Sequence, residues 1–247
     1  MIDLSDLFIF PDWSAPSSVR AASTTRQGGV SSPPHDSLNL GYHPQDDADK
    51  VAENRRRLSY ALDLPQEPAW LKQVHGCNVI EADKVSSLVE ADASFSRQPG
   101  VVCVVMTADC LPVLLCDRAG TCVAAVHAGW RGLVRGVIGA TVEHMECGPN
   151  ELMAWLGPAI GADVFEVGEE VHAAFLKLDE GNAACFRPSP RGRWLADIYQ
   201  LARRQLEALG ITALFGGGWC TVTERDKFFS YRRDGSSGRM ASLIWLV

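Results

Sequence analysis

From residue 131 onward, the inward positions Leu133, Val134, Val137, Ile138, Thr141, Val142 and Met145 recur at i, i+3 and i+4 spacing, which predicts an amphipathic helix from Arg131 to about Glu146. Helical punctuation marks three further segments: Asp46 to Leu62, Val167 to Leu178, and Ile198 to Leu209, the last with Asp197 as N-cap and Gly210 as stop. Between them lie short runs rich in β-forming residues, clearest at Val101 to Met106, Val113 to Cys116, Thr121 to Val126, Leu152 to Leu156, Ala213 to Phe215 and Ala241 to Leu246. Strands outnumber helices and some form adjacent hairpins, so a mixed or antiparallel sheet covered by helices fits better than a regular βαβ winding. No repeat and no long linker interrupts the chain; Pro33-Pro34 and Arg187-Pro-Ser-Pro190 punctuate loops. The pattern predicts a single α/β domain over residues 1–247.

Composition narrows the class. With 247 residues, 47% of them hydrophobic and 21% charged, the chain can bury a sizeable core, which excludes disorder. A net charge of -7 denies it the global positive field of a non-specific nucleic-acid binder. No apolar run approaches the roughly 20 residues of a membrane span. The acidic start Met1-Ile-Asp-Leu-Ser-Asp6 does not read as a signal peptide, so a soluble, cytoplasmic protein with reduced thiols is expected. Eight cysteines include Cys103 and Cys122, which sit inside apolar runs and read as inert core thiols. The absence of a Cys-x-x-Cys pair argues against a zinc ribbon or a thioredoxin-like redox site.

The chemistry concentrates between Thr107 and Gly132. If Asp117-Arg-Ala-Gly120 is a hairpin turn, Cys116 faces Thr121, and counting outward sets Cys110 opposite His127. Paired residues have Cβ atoms about 5 Å apart, so thiol and imidazole would meet at the open end of the hairpin. Pro112 lies within that register and allows a bulge with a slip of one residue. Beyond His127, Ala128-Gly-Trp-Arg-Gly132 leads into a helix, whose free N–H groups favour an anion such as phosphate. A second polar cluster, Leu71-Lys-Gln-Val-His-Gly76, carries His75. Added to Cys110 and His127, His75 would complete a His2Cys set that suits Zn2+ with one open position. Sequence spacing alone does not bring His75 to the hairpin.

Seven strings carry a resemblance: Thr24-Thr-Arg-Gln-Gly-Gly-Val30, Ser37-Leu-Asn-Leu-Gly41, Gln73-Val-His-Gly76, Thr107-Ala-Asp-Cys110, His127-Ala-Gly-Trp-Arg-Gly132, Gly157-Pro-Ala-Ile-Gly161 and Phe229-Ser-Tyr-Arg-Arg-Asp-Gly-Ser-Ser-Gly-Arg239. In content and order they resemble the bacterial YfiH/YlmD family, also called laccase-domain or polyphenol-oxidase-like, over essentially the whole chain. The resemblance implies one α/β domain of packed mixed β-sheets flanked by helices, with zinc held by His75, Cys110 and His127. It further implies a purine nucleoside phosphorylase acting on inosine, adenosine and 5'-methylthioadenosine and releasing free base and ribose 1-phosphate, with an associated adenosine deaminase activity. Close relatives are also called peptidoglycan editing factors. The string Ala213-Leu-Phe-Gly-Gly-Gly-Trp-Cys220 departs from the family, which often has Asp or Asn before the Cys-Thr pair.

Phosphorolysis needs a held phosphate, a sugar that tolerates positive charge, and stabilisation of the departing purine. Arg26, beside Gln27-Gly28-Gly29, is a candidate phosphate clamp, with Arg232 or Arg239 as a second cation. Gln73 and Arg131, within matching strings, complete the expected substrate-binding set. Asp109, next to Cys110, is placed to orient an imidazole or accept a proton, and joins Cys110, His127 and Arg26 as catalytic candidates. Two other enzymatic readings stand beside this one. Cys110 as thiolate nucleophile with His127 as base would make a hydrolase acting on a cell-wall precursor. Copper-dependent phenol oxidation is disfavoured by a stock of six histidines, although His and Cys donors also bind Cu2+. A non-enzymatic binding module is the fourth class.

Overall fold

The structure, a computed structural model, describes residues 4–43, 45–84, 88–190 and 192–247, with the side chains of Leu4 and Ser5 left aside. The acidic Met1–Asp3 start lies outside the described residues. Two sheets form the framework. One is four-stranded and antiparallel, in the order Phe8–Ile9, Val19–Thr24, Met240–Leu246, Val102–Thr107. The other is six-stranded and mixed, in the order Ala213–Gly216, Leu152–Leu156, Leu111–Asp117, Val123–Ala128, Ala93–Ser96, Val79–Glu81. Helices Val137–Met145, Glu169–Leu178 and Ile198–Ala208 cover the second sheet. Among the described residues no helix is long and apolar enough to cross a membrane.

The central strand Leu111–Asp117 is buried along its full length, because each of its faces meets a different layer. Leu111, Val113 and Leu115 join the core beneath the helices, whereas Leu114 and Cys116 join the core facing the first sheet with Cys103, Val105 and Ile244. This is the period-2 alternation of a strand, here with both faces apolar. By the same alternation, Val123, Ala125 and His127 point to the first sheet's side.

The structure corrects two expectations. The helix expected from Arg131 to about Glu146 is broken into Trp130–Val134 and Val137–Met145, because Gly136 adopts the left-handed conformation at φ +81. The hairpin register differs as well: Cys116 pairs with Val123 and Pro112 with His127. The Asp117 carboxylate causes this, accepting the N–H groups of Thr121 and Cys122 at 2.7 and 2.8 Å and drawing both into a longer loop. The slip is two residues rather than one, so each side chain keeps its face. Strands Val19–Thr24 and Ala93–Ser96 carry no clear β signal in sequence because alanines and serines dominate them; the second is buried throughout, whereas the first leaves Arg20 exposed.

Candidate metal centre and cavity

His127 lies at the end of its strand on the face shared with Pro112, and Cys110 continues that face two residues before Pro112. Thiol and imidazole are therefore diagonal neighbours across the ladder. Gly129 occupies the position beside Cys110, where a Cβ would lie 2.9 Å from Cys110 Sγ and 3.2 Å from a carbon of the His75 ring. Only a glycine leaves that space. His75 arrives from the loop after Leu71–Lys72, with its Nε2 3.9 Å from Cys110 Sγ and its ring 4.8 Å from that of His127. The three donor atoms all lie within 4.8 Å of one another.

Asp92 assembles this cluster. It is fully buried, receives the Nδ1–H of His127 at 2.8 Å, and accepts the backbone N–H groups of Val74, His75 and Gly76 at 3.2, 2.8 and 2.6 Å. Burial alone would raise its pKa, but the hydrogen bonds from His127 and Gly76 outweigh that and hold the carboxyl below the usual range. A charged Asp92 makes Nδ1 of His127 the donor, so Nε2 is the free ligand atom. The His75 carbonyl is held in turn by Arg135 at 2.8 Å. Asp92 was absent from the sequence-based candidates; the signal was an acid between two alanines entering a buried strand.

Charge within the cluster favours a cation. Burial pushes the Cys110 thiol up, but the His127 and His75 imidazoles more than reverse this, so its pKa is lowered. Burial pushes His127 down, while Cys110 and Asp92 pull it above the usual imidazole range. Without metal the pair is a thiolate beside an imidazolium, and a divalent ion would take over the stabilising role of that proton. A tetrahedral ion with S and N ligands at about 2.3 and 2.0 Å sets its donors roughly 3.5 Å apart. The 3.9 Å separation of Cys110 from His75 meets this after a shift of a few tenths of an ångström, and the set as a whole, spread over up to 4.8 Å, closes with a further movement of about 1 Å of the His75 loop. One thiolate and two imidazoles suit a borderline-soft ion, and the three residues fit one.

The cluster opens into a cavity of about 560 Å3, within the range of small-molecule sites. Gln73, Asp109, Arg131, Arg232 and Arg239 also line it. The Gln73 amide is committed to the backbone of Met106, donating and accepting at 2.7 Å. Arg131 lies 4.4 Å over the Trp130 ring and has no acceptor among the described residues. Arg232 donates to the Glu166 carbonyl at 2.8 Å, and Arg239 to the carbonyls of Ser237 and Gly238 at 2.8 and 3.0 Å.

Two candidates are placed differently from expectation. Asp109 does not orient His127: its oxygens accept the Thr221 hydroxyl and the Arg232 backbone N–H, each at 2.6 Å, which ties the C-terminal loop to the residue before Cys110. Arg26 is outside the cavity lining, spent on the Asp36 carboxylate at 3.1 Å, the carbonyls of Asp36 and Arg225, and the Phe229 ring. Its Gly-rich turn builds a surface loop rather than a phosphate cradle.

Fold and site together define a mixed α/β protein with a three-donor cluster, able to hold a metal ion, in the floor of a small-molecule cavity. The chain belongs to the family described as multi-copper polyphenol oxidoreductase laccase, which it matches over residues 20–247. It is 55% identical over 240 residues to a Pseudomonas aeruginosa protein named purine nucleoside phosphorylase, and equally to purine nucleoside phosphorylase YfiH of Escherichia coli K12. Each alignment covers 97% of this chain and 98% of the relative. The fold superposes on a Neisseria meningitidis crystal structure with a TM-score of 0.94 at 51% identity, covering 97% of this chain and 98% of that one. YfiH of Bacillus licheniformis gives 0.91 at 28% identity, covering 98% and 97%. The relatives' names support an enzyme acting on small molecules.

Proposed function

We propose that this chain is a purine nucleoside phosphorylase that acts on inosine, adenosine and 5'-methylthioadenosine with Zn2+ held by His75, Cys110 and His127. The observation that carries the reading is the convergence of those three donors at a cavity that also presents the Arg131 guanidinium, stacked on Trp130 with no acceptor among the described residues. In the reaction the C1'–N9 bond breaks, phosphate oxygen bonds C1', and a proton passes to the departing base. When bound, the ion supplies a fixed positive charge that polarises a group presented to it.

The remaining work falls to side chains. Arg131 binds phosphate, with Arg232 and Arg239 adding cationic field from elsewhere in the cavity lining. Asp92 holds the proton on His127 Nδ1 and so fixes the imidazole. Trp130, Ile160, Phe165 and Ile198 present apolar surface that excludes water and favours a 5'-methylthio group, while rejecting a hydroxyl only weakly.

The low Cys110 pKa is what a thiol hydrolase would also show. Stoichiometric zinc on the sulfur would dismiss that reading. A multi-copper mechanism finds less support, since the described residues contain one group of three metal-capable side chains. The test is hypoxanthine release from inosine with and without phosphate. Phosphate-dependent release with equimolar ribose 1-phosphate is expected; release unchanged without phosphate would make the reaction a hydrolysis. On adenosine, adenine marks phosphorolysis, and inosine marks the deamination that the resemblance implies.

A further inference from the structure

The Ser37-Leu-Asn-Leu-Gly41 string takes no part in the metal cluster, yet it builds one wall of the cavity. Asn39 is fully buried and uses its amide to fix a bend: its Nδ2 donates to the Gly41 carbonyl at 2.9 Å and to Asp46 at 2.7 Å. Its Oδ1 accepts the N–H groups of Gly41 at 3.0 Å and of Arg239 at 2.9 Å. The next residue, Tyr42, is thus presented in a fixed relation to Arg239, and it lines the cavity while 60% exposed. Tyr231 lines the same cavity at 59% exposure, so exposure alone does not single out Tyr42; what distinguishes it is the fixed cation on its ring.

One part of the Tyr42 ring is covered. The Arg55 guanidinium lies 4.6 Å over it and 3.8 Å over the Trp70 ring, and Arg55 Nε donates to the Leu40 carbonyl at 3.0 Å. Trp70 is anchored by its indole N–H to Glu67. Arg55 is therefore a fixed cation between two aromatic rings, drawing electron density from the Tyr42 ring. The exposed remainder is a flat, electron-poor aromatic surface, and its natural partner is a flat, electron-rich heterocycle. Phosphate would be drawn instead to the guanidinium groups of Arg131 and Arg232, which line the same cavity.

We propose that Tyr42, backed by Arg55 and set by Asn39, is the stacking surface for the purine base. The inference rests on the nucleoside reading above and adds to it the side chain that takes the base. Stacking makes the site tolerant of the 6-substituent, since hypoxanthine and adenine offer the same π-face.

The test combines steady-state phosphorolysis of inosine with equilibrium dialysis of free hypoxanthine against the purified, zinc-loaded chain, for Tyr42→Ala, Tyr42→Phe and Tyr42→Trp. Base-on-aromatic stacking predicts that Tyr42→Ala weakens hypoxanthine binding and raises the KM for inosine about tenfold or more. The KM for phosphate and the zinc content should stay within about twofold of wild type, and the two aromatic replacements should keep affinity. Unchanged hypoxanthine binding in Tyr42→Ala overturns the proposal, as does Tyr42→Phe failing as badly as alanine. A wild-type protein that binds hypoxanthine through Tyr42 but shows no phosphorolysis removes the reaction assignment and leaves the stacking surface standing.

Discussion

Asp92 Oδ1 accepts the Nδ1–H of His127 and the backbone N–H of His75, each at 2.8 Å, so one carboxylate oxygen sets two of the three candidate metal ligands. The first consequence concerns metal affinity. Asp92→Asn keeps the shape but loses the charge that fixes the His127 tautomer, and should weaken zinc binding about 10- to 100-fold, measured by chelator competition. Asp92→Ala should also lower the melting temperature, because the partly buried N–H groups of Val74, His75 and Gly76 lose their acceptor, at about 0.5–1.5 kcal/mol each. An Asp92→Asn protein with wild-type zinc affinity would remove the carboxylate from this role.

Convergence of Cys110 and His127 was legible in the sequence for a reason that survives the wrong register. A slip of two residues preserves which face a side chain occupies, so the thiol and imidazole still meet, as diagonal rather than direct partners. His75 was not placeable from spacing, because its loop is held by side-chain to backbone bonds from a distant aspartate, an arrangement without periodicity. The Gly136 break was hidden because the apolar spacing continues across it from Leu133 to Met145. Arg26 and Asp109 show the converse: both stand in distinctive strings, and both are engaged in holding loops together.

Arginines inside and outside the cavity should separate cleanly. Arg131→Met removes the cation that has no acceptor among the described residues and should raise the KM for phosphate about 10- to 100-fold, the worth of charged hydrogen bonds. Arg26→Met breaks bonds to Asp36 and Arg225 and should lower thermal stability while the phosphate KM stays near wild type. If Arg26→Met raises the phosphate KM as much as Arg131→Met does, the assignment of the anion site is wrong.

Thiol reactivity gives a pH-dependent check on the metal-free chain. Burial raises the Cys110 thiol, but His127 and His75 bring it down to about 6, while burial pushes Cys103, Cys116 and Cys122 up to about 12. A lowered pKa means that the thiolate is present above that value and is lost as pH falls through it. Iodoacetamide at pH 7 should therefore alkylate Cys110 in preference to those core cysteines, slow steeply below pH 6, and be blocked by one equivalent of zinc. Mass spectrometry of the tryptic peptides reads the outcome. Cys110 that reacts only above pH 9 would contradict the charge arrangement.

Gly129 supplies a steric test. An alanine Cβ there would stand 2.9 Å from Cys110 Sγ, so Gly129→Ala must displace the sulfur. Zinc affinity and turnover should fall together, by tenfold or more. Gly136→Ala, strained only by its backbone angle, should cost about 1 kcal/mol of stability and leave zinc binding intact. Chelator titration of the two variants side by side distinguishes the effects; equal zinc affinity in both would show that the sulfur has room to move.

Zinc K-edge X-ray absorption on the purified protein addresses the metal centre itself. A centre built from His75, Cys110 and His127 should hold about one equivalent of zinc whose first shell has one sulfur near 2.3 Å and nitrogen or oxygen donors near 2.0 Å, with the sulfur contribution lost in Cys110→Ser. Stoichiometric zinc with no sulfur in its first shell, or a shell unchanged by Cys110→Ser, would contradict that assignment.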